Sequence, residues 1–390
     1  MLREDDAVGA LSRIRSQNPF PAICGRICPA PCEKACIFNE EGTAIPIRSL
    51  ERYAADVGKA KLPKEKQASL KNRKVTIIGS GPAGMSAAYF LAQAGFSVTI
   101  LEALPEPGGM LRYGIPEFRL PAKVVDEQMA MLLGFGVVIK CNAFVGATMT
   151  MQEVFAGNQA AVLLALGAGV PKLIDLKGHD LGGVYYVQEI LMRAQQLSKN
   201  VKLDAKGIWH GTQTVVIGDG CAALDAARLS VRAGQKVTLL FEGLEEQMGV
   251  REQDIELAQE EGVVLVSQVK ALSIESNSFG FAKSVFALQL TVEEEDERLV
   301  IKTEGSEKKV FDAQTVILSS GRGPNTFIRQ HLPQLKIDDD GSIWTDSQTG
   351  LTTIEKVFAT GDVVTGAGNV VDAIAGGKAA AAKIIGFLNT

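Results

Sequence analysis

An α/β protein with two doubly wound parallel-sheet domains, preceded by a small helical segment that carries cysteines, is what this sequence predicts. Three stretches carry the prediction. "KVTIIGSGPAGMSAAYFLAQAGFSVTILE" (74–102) sets a β-branched run, a glycine turn, an alanine-rich helical pattern and a second strand in succession. "QTVVIGDGCAALDAARLSVRAGQKVTLLFE" (213–242) repeats that order, and "CGRICPAPCEKAC" (24–36) places four cysteines at four-residue intervals.

The 390 residues are enough for two or three domains, and an apolar content of 46% supplies their cores. A net charge of −5 and a pI near 5.5 leave no basic footprint, which argues against a nucleic-acid partner. The start, "MLREDDAV", is acidic and lacks the apolar core of a secretory signal. No apolar run is long enough to span a membrane. The expected location is the cytoplasm, a reducing compartment in which clustered cysteines point to metal or redox chemistry rather than disulfides.

The spacing of Cys24, Cys28, Cys32 and Cys36 would suit one stripe of a helix. Gly25, Pro29 and Pro31 argue instead for a looped, wrapping segment. Four thiolates match either tetrahedral zinc or a four-iron cluster, and the C-x2-C knuckles of zinc ribbons are missing.

In the first long stretch Gly79, Ser80, Gly81, Pro82, Ala83 and Gly84 lie between strand and helix, and Glu102 ends the second strand. Glycines there permit a tight turn and close approach to a pyrophosphate, the helix N-terminus offers N–H donors, and the acid accepts ribose hydroxyls. A lone G-x-G-x-x-G is weak, but strand, turn, helix, strand and acid together form the Rossmann-like dinucleotide-binding fingerprint. The second stretch places Gly218, Asp219, Gly220, Cys221, Ala222 and Ala223 in the same way and ends in Glu242. Two such sites in one enzyme most economically mean a flavin and a nicotinamide nucleotide, with hydride passing between them. The first site is assigned to the flavin. Near the end, "VFATGDVVTGAGNVVDAIAGGKAAAAKIIGFL" (357–388) sets a strand, a Gly361-Asp362 turn and a helix. There Asp362 is read as accepting from a sugar hydroxyl and the helix as presenting its positive end to the ligand, the alternative being an ordinary cap by Asp362.

With "GGMLRYGIPEFRLP" (108–121) between them, these motifs resemble the glutamate synthase small-subunit family of FAD-dependent NAD(P)H oxidoreductases, from about residue 16 to the end. The resemblance implies that Gly79–Gly84, Glu102, Gly109, Met110, Arg119 and Val145 hold FAD, closed by Gly361, Asp362, Val370 and Val371. It places the nicotinamide nucleotide on Gly218–Ala223 and Glu242, with Ser320 and Gly321 of "ILSSGRGPN" nearby. "NPFPAICGRICPAPCEKAC" is similar to the family's N-terminal cluster domain, in which Cys28, Cys32, Cys36 and Glu51 match one ligand set and Cys24 matches a cysteine that need not be a ligand. The family's usual upstream set of four cysteines is absent, so the cluster domain looks truncated. Three arrangements stay open: one 4Fe-4S cluster on these residues, a partner that supplies the missing ligands, or an empty remnant. The partners implied are a ferredoxin-like iron–sulfur subunit and a catalytic oxidoreductase subunit.

NADPH-using relatives commonly follow the second strand with paired arginines. Here the corresponding positions read Phe241-Glu242-Gly243, so NAD(H) is expected over NADP(H), unless Arg251 swings in. The expected organisation is an N-terminal cysteine segment (1–57), a lysine-rich linker (58–73), an FAD domain in two parts (74–185 and 319–390) and an inserted NAD domain (186–318). "EEEDER" (293–298) reads as a solvated hairpin loop, Cys141 as a buried strand cysteine, and Cys221 as a packed residue at a helix start. No cysteine pair adjoins either nucleotide motif, and none of the three histidines does. Hydride transfer between two bound nucleotides needs orientation more than a general base. The function expected is an FAD-containing NAD(H) oxidoreductase subunit of a redox complex; a stand-alone NADH oxidase or diaphorase and a non-catalytic nucleotide-binding scaffold are the alternatives.

Overall fold

The computed structural model describes residues 6–40, 42–58, 73–198, 208–295, 298–302 and 307–389. The chain divides into two compact units, one of Met1–Arg112, Glu117–Val170 and Arg322–Thr390, the other of Tyr113–Pro116 and Pro171–Gly321. The second unit opens upstream of the expected 186. The expected linker lies outside the described residues apart from its ends.

The first unit begins with α1 (Ala7–Arg15), α2 (Pro21–Ile27), α3 (Pro31–Lys34) and α4 (Ile47–Gly58). These helices pack on the nucleotide-binding part of the same unit. Phe20 is fully buried with its ring edge-on to Tyr89 at 6.4 Å between centroids. Burying such a side chain contributes roughly 1.5–3 kcal/mol. The cysteine ladder is therefore not one wrapping loop. Cys24 lies inside α2, Cys32 inside α3, and Cys28 and Cys36 at helix boundaries. Pro29 and Pro31 break the helix as expected, Pro31 restarting it at its first position, where a missing N–H costs nothing. Gly25 has a different role: a Cβ there would meet the Arg52 backbone at 2.7 Å, so this glycine lets α4 lie against α2.

The nucleotide-binding part continues through β1 (Lys74–Ile78), α5 (Pro82–Gln93), β2 (Ser97–Leu101), α6 (Met110–Tyr113), α7 (Ala122–Gly134), β3 (Val138–Lys140), α8 (Met151–Ala156) and β4 (Ala161–Leu164). The two-residue strands β5 (Val170–Pro171) and, much later, β16 (Arg322–Gly323) mark the crossings between units. The second unit holds β6 (Val184–Tyr186), α9 (Val187–Ser198), β7 (Gln213–Ile217), α10 (Cys221–Arg232), β8 (Lys236–Leu240), α11 (Glu252–Glu260) and β9 (Val263–Val266). Then come β10 (Val269–Ser276), β11 (Ala282–Gln289), β12 (Thr291–Glu295), β13 (Arg298–Lys302), β14 (Lys308–Asp312) and β15 (Thr315–Leu318). The chain re-enters the first unit for β17 (Val357–Ala359), α12 (Asp362–Thr365) and α13 (Val370–Asn389).

Each unit is built on a five-stranded parallel sheet, ordered β3-β2-β1-β4-β17 in the first and β9-β8-β7-β15-β6 in the second. Strands buried on both faces read as unbroken apolar runs, as "AVLL" of β4 and "TVIL" of β15 do. In both sheets the strand order reverses beside the strand that leads into the glycine turn. That reversal opens a crevice at the carboxyl ends, where ligands of such folds bind. The second unit adds an antiparallel sheet, β10-β11-β14. It also holds a hairpin in which Glu293 pairs with Val300 and Glu295 with Arg298. The acidic run is thus mostly strand rather than loop, and its tip at 296–297 lies outside the described residues. Cys141 follows β3 instead of lying in it and is half-buried. Cys221 is exposed at the first position of α10, with its thiol on the Gly249 carbonyl at 3.7 Å, so it is not a packing residue.

Candidate functional site

The two glycine turns are built on one backbone frame. In the first unit Gly79 N–H donates to the Leu101 carbonyl at 2.8 Å and Ala165 N–H to the Ile78 carbonyl at 2.8 Å. In the second, Gly218 N–H donates to Leu240 at 2.9 Å and Ser319 N–H to Ile217 at 2.8 Å. Gly79 (φ +108°) and Gly218 (φ +139°) occupy backbone conformations that side chains rarely adopt. A Cβ would also lie 2.2 Å from the Ala165 carbonyl oxygen at the first and 2.8 Å from Ser319 at the second. Ser320 and Gly321 follow Ser319 directly along the chain. The equivalent stretch of the first unit, Ala165–Gly169 after β4, was not singled out, although "VLLALGAG" and "VILSSGRG" are parallel in pattern.

The middle glycines, Gly81 and Gly220, differ from these. Both have ordinary backbone angles, and a Cβ at either would meet nothing within 4 Å. They border open space at the N-termini of twelve-residue helices, α5 and α10, whose first-turn N–H groups have no partner within the helix. Both turns therefore fit a pyrophosphate. Pro82 begins α5, Ala83 and Ala223 are buried, and Gly84 lets α5 lie on its turn, a Cβ on Gly84 lying 2.1 Å from the Gly79 carbonyl oxygen. Asp219 and Ala222 complete the second turn, Asp219 exposed.

The acids do not correspond. Glu102 directly follows Leu101, the residue that accepts from Gly79, and is only 6% exposed. Its Oε2 accepts from Ser80 N–H at 3.0 Å and from the Ser80 hydroxyl, and its Oε1 from Leu104 N–H at 2.9 Å. The Ser80 hydroxyl in turn accepts from Gly108 N–H at 2.8 Å. Glu102 thus ties the 104–109 loop to the first turn. The residue at its ladder position in the second unit is Phe241, 3% exposed, which follows Leu240. Glu242 lies one residue further on and is exposed. One step along an extended chain turns a side chain to the other side, so Glu242 stands at the outer lip of the second crevice.

Around the first turn the dispersed residues converge. A Cβ on Gly109 (φ +52°) would lie 2.9 Å from Gly81, and one on Gly361 (φ +75°) 2.8 Å from the Ala83 Cβ. Helix α13 crosses α5 so closely that a Cβ on Gly377 would sit 2.1 Å from the Ala83 carbonyl oxygen. Val145 is buried in the core, so its contribution to a ligand would come from its backbone. Met110 and Arg119 are half-buried, as are Asp362 and Val370, and Val371 is exposed. Burial raises the Asp362 carboxyl above its ordinary range, against the pull of Arg322. It does not cap α13: Asn369 does, its Oδ1 accepting from Val371 N–H at 2.9 Å and Asp372 N–H at 3.1 Å. Asp362 instead accepts from the Gly368 backbone N–H. Arg112, which sequence reasoning missed, is buried and binds the Pro107 carbonyl at 2.8 Å, Glu106 at 3.1 Å and Asp126, holding the loop that carries Gly108 and Gly109. A lone arginine inside "GGMLRYG" was the available signal.

The loop after Glu242 returns to the nucleotide helix, where the Gly249 carbonyl meets the Cys221 thiol. Arg251, just beyond, is held by Asp254 through two parallel bonds, Nε to Oδ2 at 3.1 Å and Nη2 to Oδ1 at 2.7 Å.

The cysteine segment is less assembled. Cys24 is buried, and burial, reinforced by the Glu51 carboxylate, pushes its thiol up to about 12. Burial also raises Cys28 and Glu51, and Glu51 accepts from Asn18 Nδ2 at 2.6 Å. Cys32 is exposed and Cys36 half-buried. Cys28, Cys32, Cys36 and Glu51 have the chemistry of a cluster ligand set. Among the described residues, however, no three His, Cys, Asp or Glu side chains converge to hold a metal ion. Among those residues, too, all six cysteines are free and no helix is long and apolar enough to cross a membrane.

Residues 73–377 match the family model of pyridine nucleotide-disulphide oxidoreductases, and residues 1–62 match that of dihydropyrimidine dehydrogenase domain II, 4Fe-4S cluster. The chain is 32% identical to the glutamate synthase [NADPH] small chain of Escherichia coli (strain K12), over 95% of this chain and 81% of that one. It is 30% identical to the NAD-dependent dihydropyrimidine dehydrogenase subunit PreT of Salmonella typhimurium, over 97% of this chain and 85% of that one. In structure it is similar to FprA of Mycobacterium tuberculosis in complex with NADPH, with a TM-score of 0.65 over 81% of this chain and 85% of that one, at 18% identity. Two turns shaped for pyrophosphate, the crevices they open and these matches make one conclusion: the chain belongs to the pyridine nucleotide-disulphide oxidoreductase family, as an FAD-dependent NAD(P)H oxidoreductase of the glutamate synthase small-chain type.

Proposed function

We propose that this chain is the FAD-containing subunit through which a multi-subunit redox complex exchanges electrons between NAD(H) and iron–sulfur carriers. The observation that carries the reading is the pair of turns on one frame, the first enclosed by a buried acid and by Gly109 and Gly361, the second opening to an exposed lip at Glu242. An enclosed turn suits a resident cofactor, and an open one suits a nucleotide that comes and goes. FAD, when bound, supplies the conversion between a two-electron hydride and single electrons. The residues of the chain do the holding. The first turns of α5 and α10 offer N–H groups to pyrophosphates, and Glu102 and Asp362 accept from FAD hydroxyl groups. We read Glu242 as setting NAD(H) above NADP(H), because its carboxylate repels a 2′-phosphate at the lip of the second crevice.

The cysteine segment supports a docking role. Ile37, Phe38, Ile47, Leu50, Tyr53 and Val57 form an apolar surface on it, Ile37 being 78% exposed. We assign this face to a ferredoxin-like iron–sulfur subunit, with a catalytic oxidoreductase subunit beyond it, in the cytoplasm. The test is anaerobic purification from native cells, then addition of NADH. Bleaching of the visible flavin band and co-purification of an iron–sulfur subunit are expected. A flavin that NADH leaves untouched would remove the oxidoreductase reading. About four irons on the isolated chain would show that the segment closes a cluster by itself. Rapid oxidation by oxygen with no retained partner would favour a stand-alone NADH oxidase.

A further inference from the structure

We infer that Asp254 is a specificity-determining positioning residue: it holds Arg251 away from the nucleotide and so denies the second site a cation that would read a 2′-phosphate. The inference rests on the second turn being the nicotinamide nucleotide site. Between Glu242 and Glu256 the chain carries six carboxylates, at 242, 245, 246, 252, 254 and 256, and a single basic residue, Arg251. That stretch is the rim of the site. It leaves β8 at the lip marked by Glu242, meets the first residue of α10 where Gly249 accepts from Cys221, and enters α11 at Arg251.

Arg251 is a fifth exposed, yet it points its fork at a carboxylate that is itself 5% exposed. A planar, two-bond pairing of this kind uses the same guanidinium edge that would grip a phosphate. The pairing occupies the Nε–Nη2 edge and offsets the charge, so the guanidinium cannot turn that edge to a phosphate without leaving Asp254. Arg251 is the N-cap residue of α11 and Asp254 lies on its first turn, so the helix start sets the two side chains within reach of each other. The other arginines nearest α11, Arg228 and Arg232, are both engaged by Glu261, with closest contacts of 2.6 Å. Rejection of a 2′-phosphate thus has two parts, repulsion by Glu242 and withholding of Arg251 by Asp254.

The test compares ADP-ribose with 2′-phospho-ADP-ribose, which differ only in the phosphate, for the FAD-loaded protein and its variants. Asp254→Asn keeps the side-chain shape and removes the charge. It is expected to raise affinity for the phosphorylated fragment about tenfold relative to the plain one, and the same factor should appear in KM for NADPH rather than in kcat. Adding Arg251→Met to Asp254→Asn should abolish the gain. Arg251→Met alone should leave the ratio where it was, a measurement that serves even if Asp254→Asn folds poorly. An unchanged ratio in a folded, FAD-loaded Asp254→Asn protein would overturn the inference, as would a gain that survives loss of Arg251. Weakened phosphate binding in Arg251→Met alone would overturn it too, since the paired arginine would then be reading the phosphate. If the unmutated protein binds the phosphorylated fragment more tightly, the NAD(H) assignment falls; an unmoved ratio in Asp254→Asn sinks the Asp254 role alone.

Discussion

The turn after β1 and the turn after β7 share their hydrogen-bond ladder, their positive-φ glycine and the neighbouring strand end, yet one is walled in and the other is open. Besides the approach of Gly109 and Gly361 to the first turn, one position separates the two. At the end of β2 the ladder places Glu102, which three donor groups hold inward. At the end of β8 it places Phe241, which is buried, and the carboxylate is deferred to the exposed Glu242. The same frame therefore serves to retain one nucleotide and to admit another.

The most severe way to break the comparison is to fill the pyrophosphate path of the first turn. Gly81→Val adds atoms where the protein has none, so the fold should survive while flavin retention, read from the absorbance ratio of the purified protein, falls by more than about tenfold, equivalent to about 1.4 kcal/mol or more. Retained flavin in a folded Gly81→Val protein would mean that the first turn does not carry it. Gly220→Val makes the same change in the second turn and should do the reverse. FAD stays, and kcat/KM for NADH drops by about a hundredfold or more, because the nucleotide can no longer seat its pyrophosphate.

A smaller change tests the displaced acid. Glu242→Arg with Gly243→Arg rebuilds paired arginines at exposed or half-exposed positions, whereas arginine at Phe241 would bury a guanidinium in the core. The ratio of NADH to NADPH kcat/KM, expected above about ten in the unmutated protein, should narrow or invert with FAD content unchanged. An unmutated protein that prefers NADPH would refute the reading of Glu242.

The smallest effect concerns a support in the second unit. Burial would raise Glu261, but hydrogen bonds from Arg228 and Arg232 outweigh it and hold its carboxyl at about 2, against an ordinary 4.5. Because the folded value is the lower one, the contribution is complete above about 4.5 and is lost as pH falls toward 2. After allowance for solvent screening, Glu261→Gln should cost roughly 1 kcal/mol at neutral pH, seen as about 2–4 °C in the Tm of this unit. The gap between variant and parent should close on acidification, and a gap that persists at pH near 2 would assign the loss to packing instead.

Much of this was legible in the residues. A tight turn needs glycine for steric reasons that act within a few residues, so "GSGPAG" and "GDGCAA" announce their strand, turn and helix without any knowledge of the rest of the chain. The same holds for the helix after Gly361 and for the apolar runs of the parallel strands. What depends on partners distant in sequence was not legible. Gly25 reads as a helix breaker by propensity, but it sits inside α2 because α4 needs the space its missing side chain leaves. The acidic run reads as a loop by charge, but β13 pairs with it as far as Glu295. Glu242 reads as the counterpart of Glu102 by order along the chain. Only the hydrogen bonds from Gly79 to Leu101 and from Gly218 to Leu240 reveal the offset of one residue. A strand alternates its faces at every residue, so an offset too small to notice in a sequence pattern decides whether a carboxylate is buried or stands in water.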